Sequence, residues 1–449
     1  MNGKGHVRTP NIIVEHMVAK LFEKKPPMPS DRVLDAGCGQ GEFIEAIISY
    51  CRKNDYPVPR IFGFELDKEL ASISRKKFLN VPDVIIEERD FLTISSDLLF
   101  QYIISNPPYV SITKISEEEK ELYKKLFTTA IGRFDFYLLF FEKAIELLAE
   151  NGRLVFISPE KFMYVQTAEP LRRKIAEMQV KEIEFLNEDT FSGLVTYPTI
   201  TIIEKSAIPV ATVVTPRDGP RKSVLLTKLE GRWLPILNGN LKTAFTHTLE
   251  DICLRISCGV ATGADEIFVK ATDSLESGLK EFAYPTISGR ELTNQKTILK
   301  SSCSLLVPYD ENSNLIPFEE LGTLKDYLSK PEVMERLKNR TCCKKKKPWY
   351  SFHENPPMND ILRSKILCKD LAPKPNFWLD KEGCIIPRHS VYYIIPKNQI
   401  KIEEMLDYLK SDFANEWLIQ NCQRASNNFI RLQSHILKKL PIPERLYSS

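Results

Sequence analysis

Val33-Leu34-Asp35-Ala36-Gly37-Cys38-Gly39-Gln40-Gly41 decides the fold of this chain. An apolar run ends in an aspartate, glycines follow at three alternate positions, and Glu42–Arg52 continues with helical spacing of apolar residues. Glycines placed this way let the backbone turn tightly and approach a ligand without Cβ clashes. Outward from this turn, further short runs read as strands: Arg32–Ala36, Arg60–Glu65, Val84–Glu87, Tyr102–Ser105, Arg153–Ser158, Glu182–Leu186 and Thr199–Glu204. Between them lie amphipathic stretches such as Lys68–Leu79, Phe136–Ala149 and Ala168–Met178, and Asn11–Phe22 reads as a helix before the first strand. Strand–helix alternation predicts an α/β fold with a mostly parallel, doubly wound sheet.

A glycine turn alone also suits NAD, FAD or a plain tight turn. Two further residues sharpen the reading. Glu65 ends the second strand, where a carboxylate accepts from both hydroxyls of a ribose. Asp90-Phe91 ends the third, where a carboxylate holds an adenine amino group and the ring packs on its face. The D-x-G-x-G form, with acids at three successive strand ends, resembles the class I methyltransferases more than the dehydrogenases.

Ser105-Asn106-Pro107-Pro108-Tyr109 follows the fourth strand. Two prolines remove two backbone donors and fix two φ angles, a rigid choice for a turn. An aromatic amine is a poor nucleophile because its lone pair is delocalised into the ring. If the Asn106 side-chain oxygen and the Pro107 carbonyl each accept one N–H, the nitrogen gains sp³ character. Its lone pair then points at a sulfonium methyl and no strong base is needed. Tyr109 is placed to stack on the base.

These residues resemble the gamma-class, TaqI-like N6-adenine DNA methyltransferases of restriction–modification systems. The resemblance covers roughly the first 205 residues. It implies S-adenosylmethionine as cofactor without a metal, held by Thr9, Asp35, Gly37, Gly39, Glu65, Asp90, Phe91 and Pro108. It implies Asn106, Pro107 and Tyr109 as catalytic residues acting on an adenine flipped out of duplex DNA. Arg8-Thr9-Pro10 matches the segment that closes over the methionine end of the cofactor. Phe191, in Phe191-Ser192-Gly193, matches the aromatic that stacks on the opposite face of the base, with Tyr197 as the competing candidate. Ala36 stands where this family often has proline.

The rest of the chain follows from composition. At 449 residues, two or three domains are expected. Hydrophobic residues make up 43% and charged residues 27%, a globular balance. A net charge of +3 says nothing by itself about nucleic acid. The ten cysteines show no C-x-x-C spacing and the six histidines no metal spacing, which argues against a zinc site or disulfide framework. No apolar run is long enough for a membrane span and residues 1–10 lack a secretory core. A cytoplasmic, prokaryotic protein is expected.

The reading gives three segments: a catalytic domain over 1–205, a Pro- and Gly-bearing linker or crossing segment over 206–244, and a mixed α+β target recognition domain over 245–449. The last also resembles the family, more loosely, through Gly259–Phe268, Ile287–Leu292 and Leu440–Pro443. Helical patterns at Ile402–Asp412 and Asn415–Asn421 end the chain. Lys344, Lys345, Lys346 and Lys347 precede Pro348-Trp349-Tyr350, with Arg363, Lys365, Lys369 and Lys374 beyond. Basic groups interleaved with aromatics suit a phosphate-tracking surface, and a solvated loop is the plainer alternative. Arg424, Asn427, Asn428, Arg431 and Gln433 form a second polar cluster, suited to base edges or equally to capping and loop hydrogen bonds. Double-stranded DNA is the expected partner, with a cognate restriction endonuclease sharing the site and the enzyme a monomer. RNA base and glutamine-amide methyltransferases share the Asn-Pro-Pro-Tyr loop, but a basic domain of about 200 residues suits a long duplex better. With the cofactor-closing segment at Thr9 and no nuclease motif in evidence, a free-standing modification enzyme is expected.

Overall fold

The computed structural model describes residues 7–95, 97–109, 115–191, 196–206, 211–217, 219–226, 233, 236–237, 245–293, 299–343, 347–425 and 429–447. The chain divides into two compact units, Met1–Asn240 and Leu241–Ser449.

The first unit is built on one sheet. Its strands are β1 (Arg32–Ala36), β2 (Arg60–Glu65), β3 (Val84–Glu88), β4 (Phe100–Ser105), β5 (Leu148–Pro159), β6 (Gln179–Phe185), β7 (Pro198–Glu204), β8 (Ala211–Thr215) and β9 (Lys222–Leu225). They lie in the order β3-β2-β1-β4-β5-β7-β6-β8-β9. β1 to β5 run parallel, and β7 is antiparallel to both its neighbours. The expected doubly wound, mostly parallel sheet is therefore present. The segment 206–244, expected as a linker or crossing segment, holds two further strands of this sheet, β8 parallel to β6 and β9 antiparallel to β8, and the boundary between the two units falls within it, after Asn240. Pro216, Gly219 and Pro220 lie between the two strands.

Helices α1 (Asn11–Phe22), α2 (Glu42–Lys53), α3 (Lys68–Lys77), α4 (Glu117–Leu126), α5 (Phe136–Leu147) and α6 (Glu169–Ala176) complete the unit. Side-chain alternation along the central strands divides its core into two layers. Leu34, Ile103 and Phe156 join α5 and α6 on one face. Val33, Ile104 and Val155 join α1 and α2 on the other. α5 is buried nearly throughout, and Phe141 stacks on Phe156 at 4.2 Å. α4 was missed from sequence although its start was legible: Ser116 and Glu119 form a reciprocal capping box.

Charged groups are also used inside this unit. His16 on α1 meets Glu184 on β6 at 2.7 Å, beside Lys20 and Glu182. The Glu184 hydrogen bond raises the His16 pKa above its ordinary value, against partial desolvation.

The second unit is mixed. One sheet joins Cys253–Cys258, Val391–Pro396, Lys365–Lys369 and Phe377–Asp380, all antiparallel. Another joins Val269–Ala271, Cys303–Leu306, Ala283–Ile287 and Ile386–Pro387. A small ribbon joins Leu371–Ala372, Phe429–Arg431 and Gln423–Ala425. The two C-terminal helices form at Ile402–Leu409 and Asp412–Asn421. Lys365 is fully buried and pairs with Asp380 at 2.6 Å; Asp380 also accepts from Gly383 N and Ile385 N. No described helix is long and apolar enough to cross a membrane.

Two outcomes follow. Asp380→Ala leaves a buried ammonium and two backbone donors unpaired, so denaturant titration should show a loss of about 3–5 kcal/mol. Lys365→Met, which leaves Asp380 its backbone donors, should cost less; an equal or larger loss contradicts this account. For His16, a raised folded pKa means the pair stabilises fully below the unfolded imidazole value of about 6.5 and fades as pH rises through the folded one. The Tm advantage of wild type over His16→Asn should be larger near pH 5.5 than near pH 8.5. The corresponding stability difference should stay below about 1 kcal/mol, because more than a third of the His16 side chain is exposed to solvent.

Candidate active site

The chain leaves β1 through Gly37, Gly39 and Gly41, at φ of 76°, 54° and 81°. Gly41 shows why side chains are excluded: a Cβ there would lie 2.4 Å from Phe78 Cε2. The N–H groups of Gly37 and Cys38 both donate to Phe64 O at 3.0 Å, which folds the loop over the end of β2. Glu65 ends β2 and fixes the turn from its other side. Its Oε2 accepts from Gly39 N and its Oε1 from Asp67 N, each at 2.8 Å. A carboxylate has about four acceptor sites, so the group is oriented with capacity to spare.

A cleft opens beside this loop. Of the residues singled out from sequence, Thr9, Gly37, Glu65, Asp90, Phe91, Asn106 and Pro108 line it. Asp35 and Gly39 do not. Gly39 uses its N–H on Glu65, and Asp35 is buried with neither carboxylate oxygen hydrogen-bonded. Desolvation first, then the Glu42 and Glu65 charges, push the Asp35 pKa well above the carboxylate range. A cation entering beside it would reverse that shift. Arg8 of the closing segment also lines the cleft, and sequence reasoning missed Glu42, Leu66, Asp67, Phe136 and Phe140 among the remaining lining residues. One signal was present: Leu66 is an apolar residue at a strand end, and half of it is exposed. Asp90 accepts from Leu92 N, while Phe91 is buried against Phe140 at 5.1 Å.

β4 delivers the second loop to the same cleft. Ser105 Oγ donates to Ala36 O at 2.7 Å, tying the ends of β4 and β1 together. Asn106 follows, and its amide is used asymmetrically. Nδ2 donates to Val7 O at 3.1 Å and to Thr9 Oγ1 at 2.9 Å. Oδ1 is buried and has no partner. The reverse assignment would set the amide oxygen against the Val7 carbonyl, so the network itself selects the orientation. The residues before α1 thus present Asn106 as a bare acceptor.

Pro107 is buried, and Tyr109 has a buried hydroxyl with no partner and a pKa raised by desolvation. Its ring meets Phe191 at 6.0 Å and 60°. Tyr197, the competing aromatic, is engaged elsewhere. The Arg217 guanidinium lies 5.0 Å over its ring and also pairs with Glu160 at 2.8 Å. Residues 192–195 lie outside the described residues.

In the second unit, Lys344, Lys345, Lys346, Asn427 and Asn428 lie outside the described residues. Lys347 turns back onto its own loop, donating to His353 O and Asn355 Oδ1. Arg424 and Arg431 stand on the small ribbon. Two expectations fail. Lys365 is buried with Asp380 and cannot track phosphates. Trp349 and Tyr350 are half-buried, each 5.1 Å from Phe318, so they serve the unit's own core and are not open stacking platforms. Among the described residues no cluster of His, Cys, Asp or Glu could hold a metal.

Comparison with known proteins agrees with this geometry. Residues 59–191 match the Eco57I restriction-modification methylase family, and residues 285–442 match the TaqI-like C-terminal specificity domain. Type II methyltransferase M.BstVI of Geobacillus stearothermophilus is 24% identical over 98% of this chain and 90% of its own length. Type II methyltransferase M.PaeR7I of Pseudomonas aeruginosa is 25% identical over 99% and 86%. The DNA complex of the Type IIL restriction-modification enzyme MmeI shares the fold, with a TM-score of 0.59 at 13% identity over 96% of this chain and 63% of that one. The chain thus carries a match to an Eco57I-type restriction-modification methylase in its first unit and to a TaqI-like specificity domain in its second, and it is similar over nearly its whole length to Type II methyltransferases.

Proposed function

We propose that this DNA methyltransferase takes its methyl group from S-adenosylmethionine and transfers it to N6 of an adenine swung out of duplex DNA. The carrying observation is the Asn106 amide, whose donors are consumed by Val7 and Thr9 while Oδ1 stays buried and unpaired. A group in that state accepts an N–H from whatever enters the site, because an unpaired buried acceptor costs free energy. An exocyclic amine supplies that N–H. Asn106 Oδ1 and the Pro107 carbonyl then localise its lone pair on nitrogen without a strong base.

The cleft fits the proposed cofactor. Glu65 keeps acceptor sites for two ribose hydroxyls, Asp90 and Phe91 suit an adenine edge and face, and the unpaired buried Asp35 suits a nearby positive charge. When bound, S-adenosylmethionine supplies an electrophilic methyl group on a sulfonium. Thr9 has two tasks in this reading: it lines the cleft and it holds the Asn106 amide. The setting carried by the reading is a bacterial cytoplasm, a monomer, and a restriction endonuclease that shares the recognition sequence.

Tyr109 and Phe191 form the proposed clamp on the base. Their 6.0 Å spacing lies in the contact range of roughly 4.5–7 Å for an aromatic pair, so no base fits between them as they stand. The two rings part when the base enters.

Asn106→Ala should lower methylation turnover by roughly 100-fold or more while cofactor binding stays near normal, because the lost contact acts mainly in the transition state. Rapid-quench assays with labelled donor on duplex DNA measure this, with mass spectrometry of the nucleosides identifying N6-methyladenine; a product methylated on cytosine would overturn the adenine assignment. For the clamp, 2-aminopurine at the target should brighten when the enzyme binds. Tyr109→Ala or Phe191→Ala should reduce turnover more than ground-state DNA affinity, since base stacking is worth roughly 1–3 kcal/mol. Wild-type behaviour of Phe191→Ala together with loss in Tyr197→Ala would shift the role to Tyr197.

A further inference from the structure

We infer that the second unit holds a DNA phosphodiester in a cavity lined by Ser288, Gly289, Arg290, Lys369, Arg388 and Ser390. Phe429, Asp370 and Leu371 close its wall. The inference rests on the reading of this chain as a DNA methyltransferase and names where its specificity domain grips the backbone.

Three separated segments meet here: 288–290 after the Ala283–Ile287 strand, 369–371 after the Lys365–Lys369 strand, and 388–390 before the Val391–Pro396 strand. Gly289 permits their approach, since a Cβ there would lie 3.0 Å from Ser390 O and 3.2 Å from Lys369 Cγ. Each segment brings a cation with donor capacity left over. Arg290 is exposed and makes no hydrogen bond or ion pair among the described residues. Lys369 Nζ uses one donor on Thr293 Oγ1 at 3.0 Å. Arg388 donates to Glu291 through one terminal nitrogen, while its Nε–H is buried and unpaired.

The charges select the ligand. Arg388 is held by Glu291 and lies 3.9 Å from Asp265, so the cations left for a ligand are Arg290 and Lys369, against Asp370 in the lining. A phosphodiester carries one negative charge and only acceptors. A guanine edge is the competing DNA group, and it wants a bidentate guanidinium fork. Arg388 has a terminal nitrogen committed to Glu291 and Lys369 is a point charge, so Arg290 alone could offer that fork, and replacing Arg290 by lysine separates the two ligands. The Phe429 side chain adds an apolar wall for a deoxyribose.

The test measures binding of the full-length enzyme to several unrelated duplexes over a range of salt. Arg290→Gln should weaken all of them alike, by about 3- to 10-fold, and lower the slope of log affinity against log salt by roughly one unit. Arg290→Lys should restore most of the slope, because a phosphate needs charge and not a fork. Lys369→Gln should behave like Arg290→Gln. Among the described residues Arg290 has no partner to lose, so a folding defect is not expected to confound its variants. An unchanged slope in both glutamine variants, with wild type binding DNA normally, overturns the phosphate site alone. Relaxed sequence preference without a slope change makes the cavity a base reader and also overturns it. Failure of the wild type to bind any duplex overturns the DNA reading on which the inference rests.

Discussion

A right-handed crossover between parallel strands leaves a sheet in only one direction for each face it covers. In this chain β1 leads outward through β2 to β3, and β4 leads the other way through β5. The helices that follow β1 and β4 therefore lie on opposite faces, and the carboxyl ends of these two adjacent strands stay uncovered between them. Everything proposed for the catalytic unit depends on that gap. It receives the glycine loop from β1 and the Asn106–Tyr109 loop from β4, and the Ser105–Ala36 hydrogen bond ties the two together.

Around the gap, hydrogen-bond satisfaction is divided with a purpose. Groups that shape the backbone are engaged: Glu65 on two amides with acceptor capacity left over, Asp67 capping α3, and the Asn106 amino group on Val7 and Thr9. Asp35, beside the glycine loop, and Asn106 Oδ1 and the Tyr109 hydroxyl, on the second loop, are buried and left bare. Unpaired buried polar atoms cost roughly 1–3 kcal/mol each, and the large aromatic and aliphatic layers on both faces of the sheet support that cost. The second unit keeps its polar groups for other ends. Lys365 and Asp380 hold a turn in its interior, whereas Arg290, Lys369 and Arg388 point spare donors at one cavity.

Much of the catalytic unit was legible because its signals are local. A strand of alternating apolar residues needs only its neighbours to be recognised, and the φ values demanded of Gly37, Gly39 and Gly41 follow from the turn itself. The Ser116–Glu119 box that starts α4 was equally local and was overlooked amid the attention to Asn106–Tyr109. The strands within 206–244 were not legible for a different reason: β8 finds its partner in β6, about 30 residues earlier, and no pattern within the segment announces that pairing.

From its sequence alone this protein was determined to have a doubly wound sheet, a glycine loop, acids at successive strand ends and an Asn-Pro-Pro-Tyr loop, because each is set by spacing along the chain. Only the tertiary structure decided which way the Asn106 amide faces, since Val7 and Thr9 lie about a hundred residues away. It likewise buried Lys365 and half-buried Trp349, both of which looked like surface, and gathered Arg290, Lys369 and Arg388 from three distant segments. Sequence spacing specifies which face of an element a side chain occupies; what stands opposite that face is fixed only when the elements pack.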